Sequence, residues 1–322
     1  MIIDKKRYKK MIYKENNSIK ISALSLGLWY NFGYDKDYNN LKEIIITAFN
    51  NGITHFDVAN NYGPPVGYAE IVLGKILNNE LKRYRNEIII STKAGYNMWK
   101  GLYGKGGSKK HLISSLDESL KRMNLDYVDI FYHHKYDKDI PLEETMEALA
   151  MIVYQGKALY LGLSNYPFDK FIEARKILNN KFNLDIKFYQ PKYSLLEKDI
   201  KNTYLKEDLN LNIINYSSLD QGLLSNKYLN DLNNEGRIYD KNIPFINLND
   251  LNKVKDKLII IKDIADKRNQ TISQLALSWL VVNNKITSSL IGISNLNQLE
   301  ENLKCLNNLS FTKEELEILN NI

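Results

Sequence analysis

The chain has 322 residues, 44% hydrophobic and 25% charged, a composition that fills a sizeable core and excludes disordered, collagen-like and disulfide-framed classes. Its formal charge of +6 is spread along the whole length, too mild and too scattered for a nucleic-acid-binding surface. No run of about 18 apolar residues offers a membrane span, and the charged opening 1–10 holds no signal-peptide core. A cytoplasmic protein with neither nucleic-acid nor membrane partners is therefore expected.

In chain order, segments 11–14 and 18–22 flank Glu15-Asn16-Asn17, a turn signal for a β-hairpin that would close the bottom of a barrel. Eight short apolar runs follow, at 23–26, 54–58, 87–92, 127–132, 158–163, 186–190, 212–216 and 288–293. Nearly continuous apolar character over so few residues suits strands buried on both faces of a parallel sheet. Helical patterns separate them, among them 40–50, 108–123, 142–155 and 168–178, with Gly52 and Gly156 as stops. Strand ends recur every 26 to 41 residues as far as Tyr216, one strand-helix unit at a time. The next interval, to Gly292, is 76 residues, enough for a long loop at 217–250 and two helices at 251–268 and 272–283. A last helix is predicted at 312–320. Eight units with right-handed crossovers predict an α/β fold: a (β/α)8 TIM barrel with an N-terminal β-hairpin and a long insertion between strands 7 and 8. Residues 1–322 read as one domain.

Several chemistries lack support. The single Cys305 excludes an internal disulfide and fits a packing role, and histidines 55, 111, 133 and 134 show no three-ligand metal spacing. No metal is expected. No Gly-x-Gly-x-x-Gly follows the first strand, and the glycine-rich 101–110 segment lacks P-loop spacing. Gly162-Leu-Ser164-Asn165-Tyr166 has tyrosine where a nucleophile elbow needs its second glycine.

Polar residues at the C-terminal ends of adjacent strands remain, where barrel enzymes keep their chemistry. Asp57 ends the second strand, Tyr62 follows in Asn60-Asn61-Tyr62-Gly63-Pro64, Lys93 ends the third and His134 follows the fourth. Alone, each is as readily a cap, a loop residue or a packing residue. Together they form an acid site: an ammonium at Lys93 would lower the pKa of the Tyr62 phenol, Asp57 would hold Lys93, and His134 would orient a carbonyl oxygen. Such a site suits carbonyl reduction, and since no side chain donates hydride, it implies a nicotinamide cofactor. A Schiff-base aldolase using Lys93 is the weaker reading, because it leaves Asp57 and Tyr62 without a task. Trp29, Tyr62, Trp99 and His134 would line the substrate mouth. His133, one residue before His134 in an extended segment, should face away.

At these residues the chain resembles the aldo-keto reductases, in the branch of bacterial L-glyceraldehyde 3-phosphate reductases and potassium-channel β subunits. The resemblance rests on Leu26-Gly-Leu-Trp29, Gly52-Ile-Thr-His-Phe-Asp57, Tyr62-Gly-Pro-Pro, Ile90-Ser-Thr-Lys93-Ala-Gly-Tyr, Asp126-Tyr-Val-Asp-Ile-Phe-Tyr, Gly162-Leu-Ser-Asn, Gln221-Gly-Leu-Leu and Gln298-Leu-Glu-Glu-Asn302. It implies a catalytic tetrad of Asp57, Tyr62, Lys93 and His134 with Tyr62 as general acid. It also implies a nicotinamide carboxamide held by Ser164, Asn165 and Gln190, with Tyr216 stacked on the ring and Trp29 and Asp57 beside it. Ser217, Leu219, Gln221 and Gly222 would follow the pyrophosphate, Lys227 and Arg237 would add positive charge, and Ser294, Gln298 and Asn302 would meet the adenosine-phosphate end. The implied cofactor is NADPH, with NADH the weaker candidate, since Asn295 stands where close bacterial relatives carry an arginine. The implied activity is NADPH-dependent reduction of small aldehydes such as glyceraldehyde 3-phosphate or methylglyoxal, in a homo-oligomer of four or more subunits. The alternative is a cofactor-binding regulatory module like the channel subunits. Those carry asparagine at the position of His134, which favours the enzyme.

Overall fold

The computed structural model describes residues 2–17, 19–228 and 246–322. All eight predicted strands are present: β3 (Leu24–Gly27), β4 (His55–Asp57), β5 (Ile89–Ala94), β6 (Val128–His133), β7 (Ala158–Ser164), β8 (Ile186–Gln190), β9 (Asn212–Asn215) and β10 (Ser288–Gly292). They pair in parallel in the order β10-β3-β4-β5-β6-β7-β8-β9 and close on themselves, a (β/α)8 TIM barrel. Period-two alternation divides their side chains. Outward residues such as Phe56, Ile90, Phe131, Leu163, Ile213 and Ile291 join the large core under the helices. Inward Ile130, Tyr132, Phe188, Ile214 and Leu290 fill the lumen.

The predicted hairpin is β1 (Tyr13–Asn16) paired antiparallel with β2 (Ile19–Ser22). It closes the barrel from the N-terminal side. Ile19 and Ile21 pack among the lumen residues, while Lys14 Nζ donates to the carbonyls of Asn283 (2.9 Å) and Ile286 (2.6 Å) ahead of β10.

The helical layer holds α1 (Tyr38–Asn50), α2 (Tyr68–Ile76), α3 (Lys109–Met123), α4 (Leu142–Tyr154) and α5 (Phe168–Phe182), then α6 (Leu248–Lys267), α7 (Ile272–Val282), α8 (Leu296–Leu303) and α9 (Lys313–Asn321). Gly52 and Gly156 follow α1 and α4 in left-handed backbone, φ +86° and +69°, as a helix stop requires. One expectation fails: β8 is followed by a loop with a single 3₁₀ turn at Asp199–Asn202, not by an α-helix. Tyr193 and Tyr204 are buried in that connection, with Tyr204 stacked on Tyr189 of β8 at 3.8 Å, so aromatic side chains cover the sheet where a helix would lie. The insertion after β9 carries α6 and α7 as predicted, with α6 starting earlier because Asn247 and Asp250 cap it reciprocally. Cys305 is buried in a 3₁₀ turn after α8.

Candidate active site

Strand register brings the predicted residues together. Asp57 pairs with Ser91, Lys93 with Tyr132 and Ala94 with His133, which sets Asp57, Lys93 and His134 around the C-terminal rim. The loop after β4 runs across the top of β5, where the Asn60 amide donates to the Lys93 carbonyl at 3.0 Å and the Tyr62 amide to the Ala59 carbonyl at 3.0 Å. Tyr62 is thereby laid over Lys93.

Lys93 is fully buried. Its ammonium is ion-paired with Asp57 Oδ2 and donates to the Val58 carbonyl at 3.0 Å and to the Tyr62 hydroxyl oxygen at 3.3 Å. Asp57 Oδ1 accepts from Ser91 Oγ at 2.5 Å and from Gln190 Nε2 at 3.1 Å. The Tyr62 and His134 rings lie edge to face at 5.9 Å, and Tyr96, which was not predicted, stands perpendicular to His134 at 4.5 Å.

The expected sign of the Tyr62 shift is reversed. Burial, followed by the charge of Asp57, raises the phenol well above its ordinary value of 10.0, because both disfavour a phenolate more than the nearby cation favours it. Burial also lowers Lys93 below 10.5 against the pull of Asp57, and holds His134 well below 6.5 with help from Lys93. At neutral pH the site therefore presents a protonated phenol and a neutral imidazole. His134 Nδ1 is buried without a hydrogen-bond partner. His133 does face away: it is buried and shares a 2.5 Å hydrogen bond between Nδ1 and the Tyr166 hydroxyl.

Residues assigned to a cofactor line the same rim. Asn165 Nδ2 donates to the His134 carbonyl at 2.9 Å and to Ser164 Oγ at 3.0 Å, and Tyr216 donates to Asn165 Oδ1 at 2.7 Å. Ser164 Oγ donates to the Gln190 carbonyl at 2.7 Å. Beyond them the chain is left-handed at Ser217 (φ +55°), Asp220 (+44°), Gln221 (+58°) and Gly222 (+98°), with Leu219 between, backbone of the kind that builds anion-holding turns. The donor set and this turn fit a dinucleotide. Lys227 is exposed, and Arg237 lies outside the described residues. Ser294 Oγ donates to Gln298 Oε1 at 2.9 Å ahead of α8, and Asn302 is buried on that helix. Asn295 is the N-cap of α8, accepting from the Gln298 amide at 3.0 Å. For the substrate mouth, the structure brings Tyr62 and His134 together, whereas Trp99 packs on His111 at 5.5 Å and donates to the Leu102 carbonyl. Trp29 lies beside Tyr30 at 5.7 Å.

Sequence reasoning missed a supporting network. Glu70 of α2 is fully buried, accepting from Thr92 Oγ1 at 2.6 Å and pairing with Arg122 Nε of α3 at 2.7 Å. It ties the helix that follows the Tyr62 loop to the strand that carries Lys93. A glutamate in the otherwise apolar face 69, 72, 73 and 76 was the available signal. Among the described residues, no three His, Cys, Asp or Glu side chains are grouped to hold a metal ion.

Residues 23–322 match the model of the Aldo/keto reductase family. An L-glyceraldehyde 3-phosphate reductase of Escherichia coli (strain K12) is 43% identical over 315 residues, covering 93% of this chain and 89% of that protein. A probable voltage-gated potassium channel subunit beta of Arabidopsis thaliana is 31% identical over 308 residues, covering 92% and 91%. Among solved structures, a thermostable aldo-keto reductase in complex with the inhibitor epalrestat superposes with a TM-score of 0.75 at 26% identity, covering 97% of this chain and 99% of that one. The closed barrel, the match along nearly the whole chain and these relatives together show that the protein belongs to the aldo-keto reductase family.

Proposed function

We propose that the protein reduces small aldehydes with NADPH, taking the proton from Tyr62. The observation that carries this reading is the buried Lys93 ammonium, held by Asp57 and placed 3.3 Å from the Tyr62 oxygen. A nicotinamide dinucleotide lying along Ser164, Asn165, Gln190, Tyr216 and the 217–222 turn would supply the hydride. The rest falls to the chain's own residues. His134, neutral, offers an N–H to the carbonyl oxygen, and Tyr62 passes its hydroxyl proton to that oxygen as the carbonyl carbon accepts the hydride, giving an alcohol. An alkoxide is more basic than a phenolate, so a phenol with a raised pKa still protonates it. Lys93 then faces the phenolate and stabilises it until the proton is replaced.

Glyceraldehyde 3-phosphate and methylglyoxal-like aldehydes are the first substrates to assay, because the 43% identical relative is named for the former. Preference for NADPH should be modest, about tenfold, since Asn295 is engaged in capping α8 and leaves Lys227 and the Ser294–Gln298 end to meet a 2′-phosphate. The test is calorimetric titration with NADPH and NADH, followed by turnover on an aldehyde panel. Tighter NADPH binding with aldehyde-dependent oxidation supports the reading. Cofactor binding without turnover on any aldehyde would overturn the enzyme in favour of a cofactor-binding module.

A further inference from the structure

The barrel lumen is divided by polarity. On β6, β8 and β9 the inward residues are Ile130, Tyr132, Phe188 and Ile214, whereas the adjacent strands β10, β3, β4 and β5 contribute Ser288, Ser25, His55 and Ser91, all buried, with β10 adding the apolar Leu290. Barrel interiors are ordinarily packed with branched apolar side chains, so four polar groups on neighbouring strands call for a physical reason. They form one chain. Ser288 Oγ lies 2.5 Å from Ser25 Oγ, Ser25 Oγ 2.9 Å from His55 Nδ1, and His55 Nε2 2.8 Å from Ser91 Oγ, which donates to Asp57 Oδ1 at 2.5 Å. At the floor, Ser288 Oγ is 2.7 Å from the Ser22 carbonyl oxygen.

A hydrogen count limits the directions open to this chain. Its ends, a carboxylate and a carbonyl, only accept, while the three serines and a neutral imidazole each bring one hydrogen, four for five contacts. The carboxylate is the strongest acceptor, so Ser91 donates there. Ser91 Oγ keeps lone pairs with which to accept from Nε2–H, and once that bond is made Nδ1 accepts from Ser25. The contact without a hydrogen falls at the barrel floor, farthest from the charge. A second proton on His55 would fill it, but would place another cation in the buried space beside Lys93, and burial accordingly lowers the His55 pKa to about 4.

We propose that His55 is a positioning residue: as the Nε2–H tautomer it fixes the Ser91 hydroxyl, which fixes Asp57 Oδ1 and leaves Oδ2 to Lys93. The need for it follows from the proposed function, on which this inference rests. The other group on Asp57 Oδ1 is Gln190, a residue assigned to the cofactor's carboxamide, so Ser91 holds the carboxylate when Gln190 turns to the cofactor. The chain ends on a buried backbone carbonyl, which makes it a strut and not a route for protons to solvent.

The test combines imidazole ¹⁵N NMR with kinetics. In the wild-type protein at neutral pH His55 should be the Nε2–H tautomer; in Ser91→Ala the ring loses that acceptor and should switch to Nδ1–H, donating to Ser25. Ser91→Ala and His55→Leu should each lower kcat for aldehyde reduction about tenfold with KM for NADPH within about twofold, the scale on which partners that orient a functional side chain act. His55→Gln, whose amide can donate to Ser91 and accept from Ser25, should restore most of the rate. An Nδ1–H ring in the wild type, a tautomer unmoved by Ser91→Ala, or full kcat in that variant would overturn the proposal. A wild-type protein that reduces no aldehyde would instead remove the reductase reading, and the tautomer measurement would still decide the chain.

Discussion

Lys93 and Tyr62 are shifted in opposite directions by the same cause. Burial disfavours whichever form is charged, so the lysine loses its proton below 10.5 while the phenol keeps its own well above 10.0. The alkaline limit of reduction should therefore come from Lys93 and not from Tyr62. In a pH profile, kcat should fall on the alkaline side at a pH below 10.5, and Lys93→Arg, slower throughout, should move that limb upward because a guanidinium keeps its charge. A limb that stays in place would reassign it. The gathering of Asp57, Tyr62, Lys93 and His134 at one rim was legible in the sequence because each sits at or just after a strand end. The sign at Tyr62 was not, since an adjacent cation can be read from residues whereas burial of the phenol, and the nearness of Asp57, Tyr216 and Tyr96 to it, come only with the closed barrel.

Between elements, the Glu70 carboxylate joins α2, β5 and α3 through Thr92 and Arg122. Arg122→Ala leaves that carboxylate buried without its cation, which should cost about 3 kcal/mol of stability and lower Tm, while Glu70→Gln, keeping the Thr92 contact, should cost less. Equal losses in thermal unfolding would contradict this. Strands were the most legible elements, because short runs such as 158–164 are nearly continuously apolar. Helix α2 has the required spacing in Ala69, Val72, Leu73 and Ile76 but spans only nine residues, with Val66 and Gly67 alone between it and Pro64-Pro65. The missing helix after β8 could not be read locally, since the sheet is covered there by Tyr193 and Tyr204, which meet it only through tertiary packing.

For the whole molecule, the buried histidines set the response to acid. His55 and His133 hold pKa values of about 4 and about 3, against 6.5 when exposed, because burial disfavours their charged forms. The unfolded chain binds their protons first, so the stability they contribute is complete above pH 6.5 and is lost as pH falls toward 4. Each can remove up to about 1.4 kcal/mol per pH unit in that window. Thermal unfolding should show Tm declining from pH 6.5 downward, with a shallower decline in His133→Asn; a flat Tm would exclude the linkage. The barrel and its late insertion followed from the spacing of apolar runs, and the hairpin from the Glu15-Asn16-Asn17 turn. The polar chain in the lumen did not, because serines at 25, 91 and 288 carry no sequence signal until closure of the sheet brings β10 beside β3.

The most direct measurement is single-turnover reduction of an aldehyde by Tyr62→Phe loaded with NADPH. Loss of the phenolic proton should slow the chemical step about 10²- to 10⁴-fold while the dissociation constant for NADPH stays within about twofold of wild type. A variant that reduced aldehyde at the wild-type rate would contradict the role of Tyr62 as the proton donor.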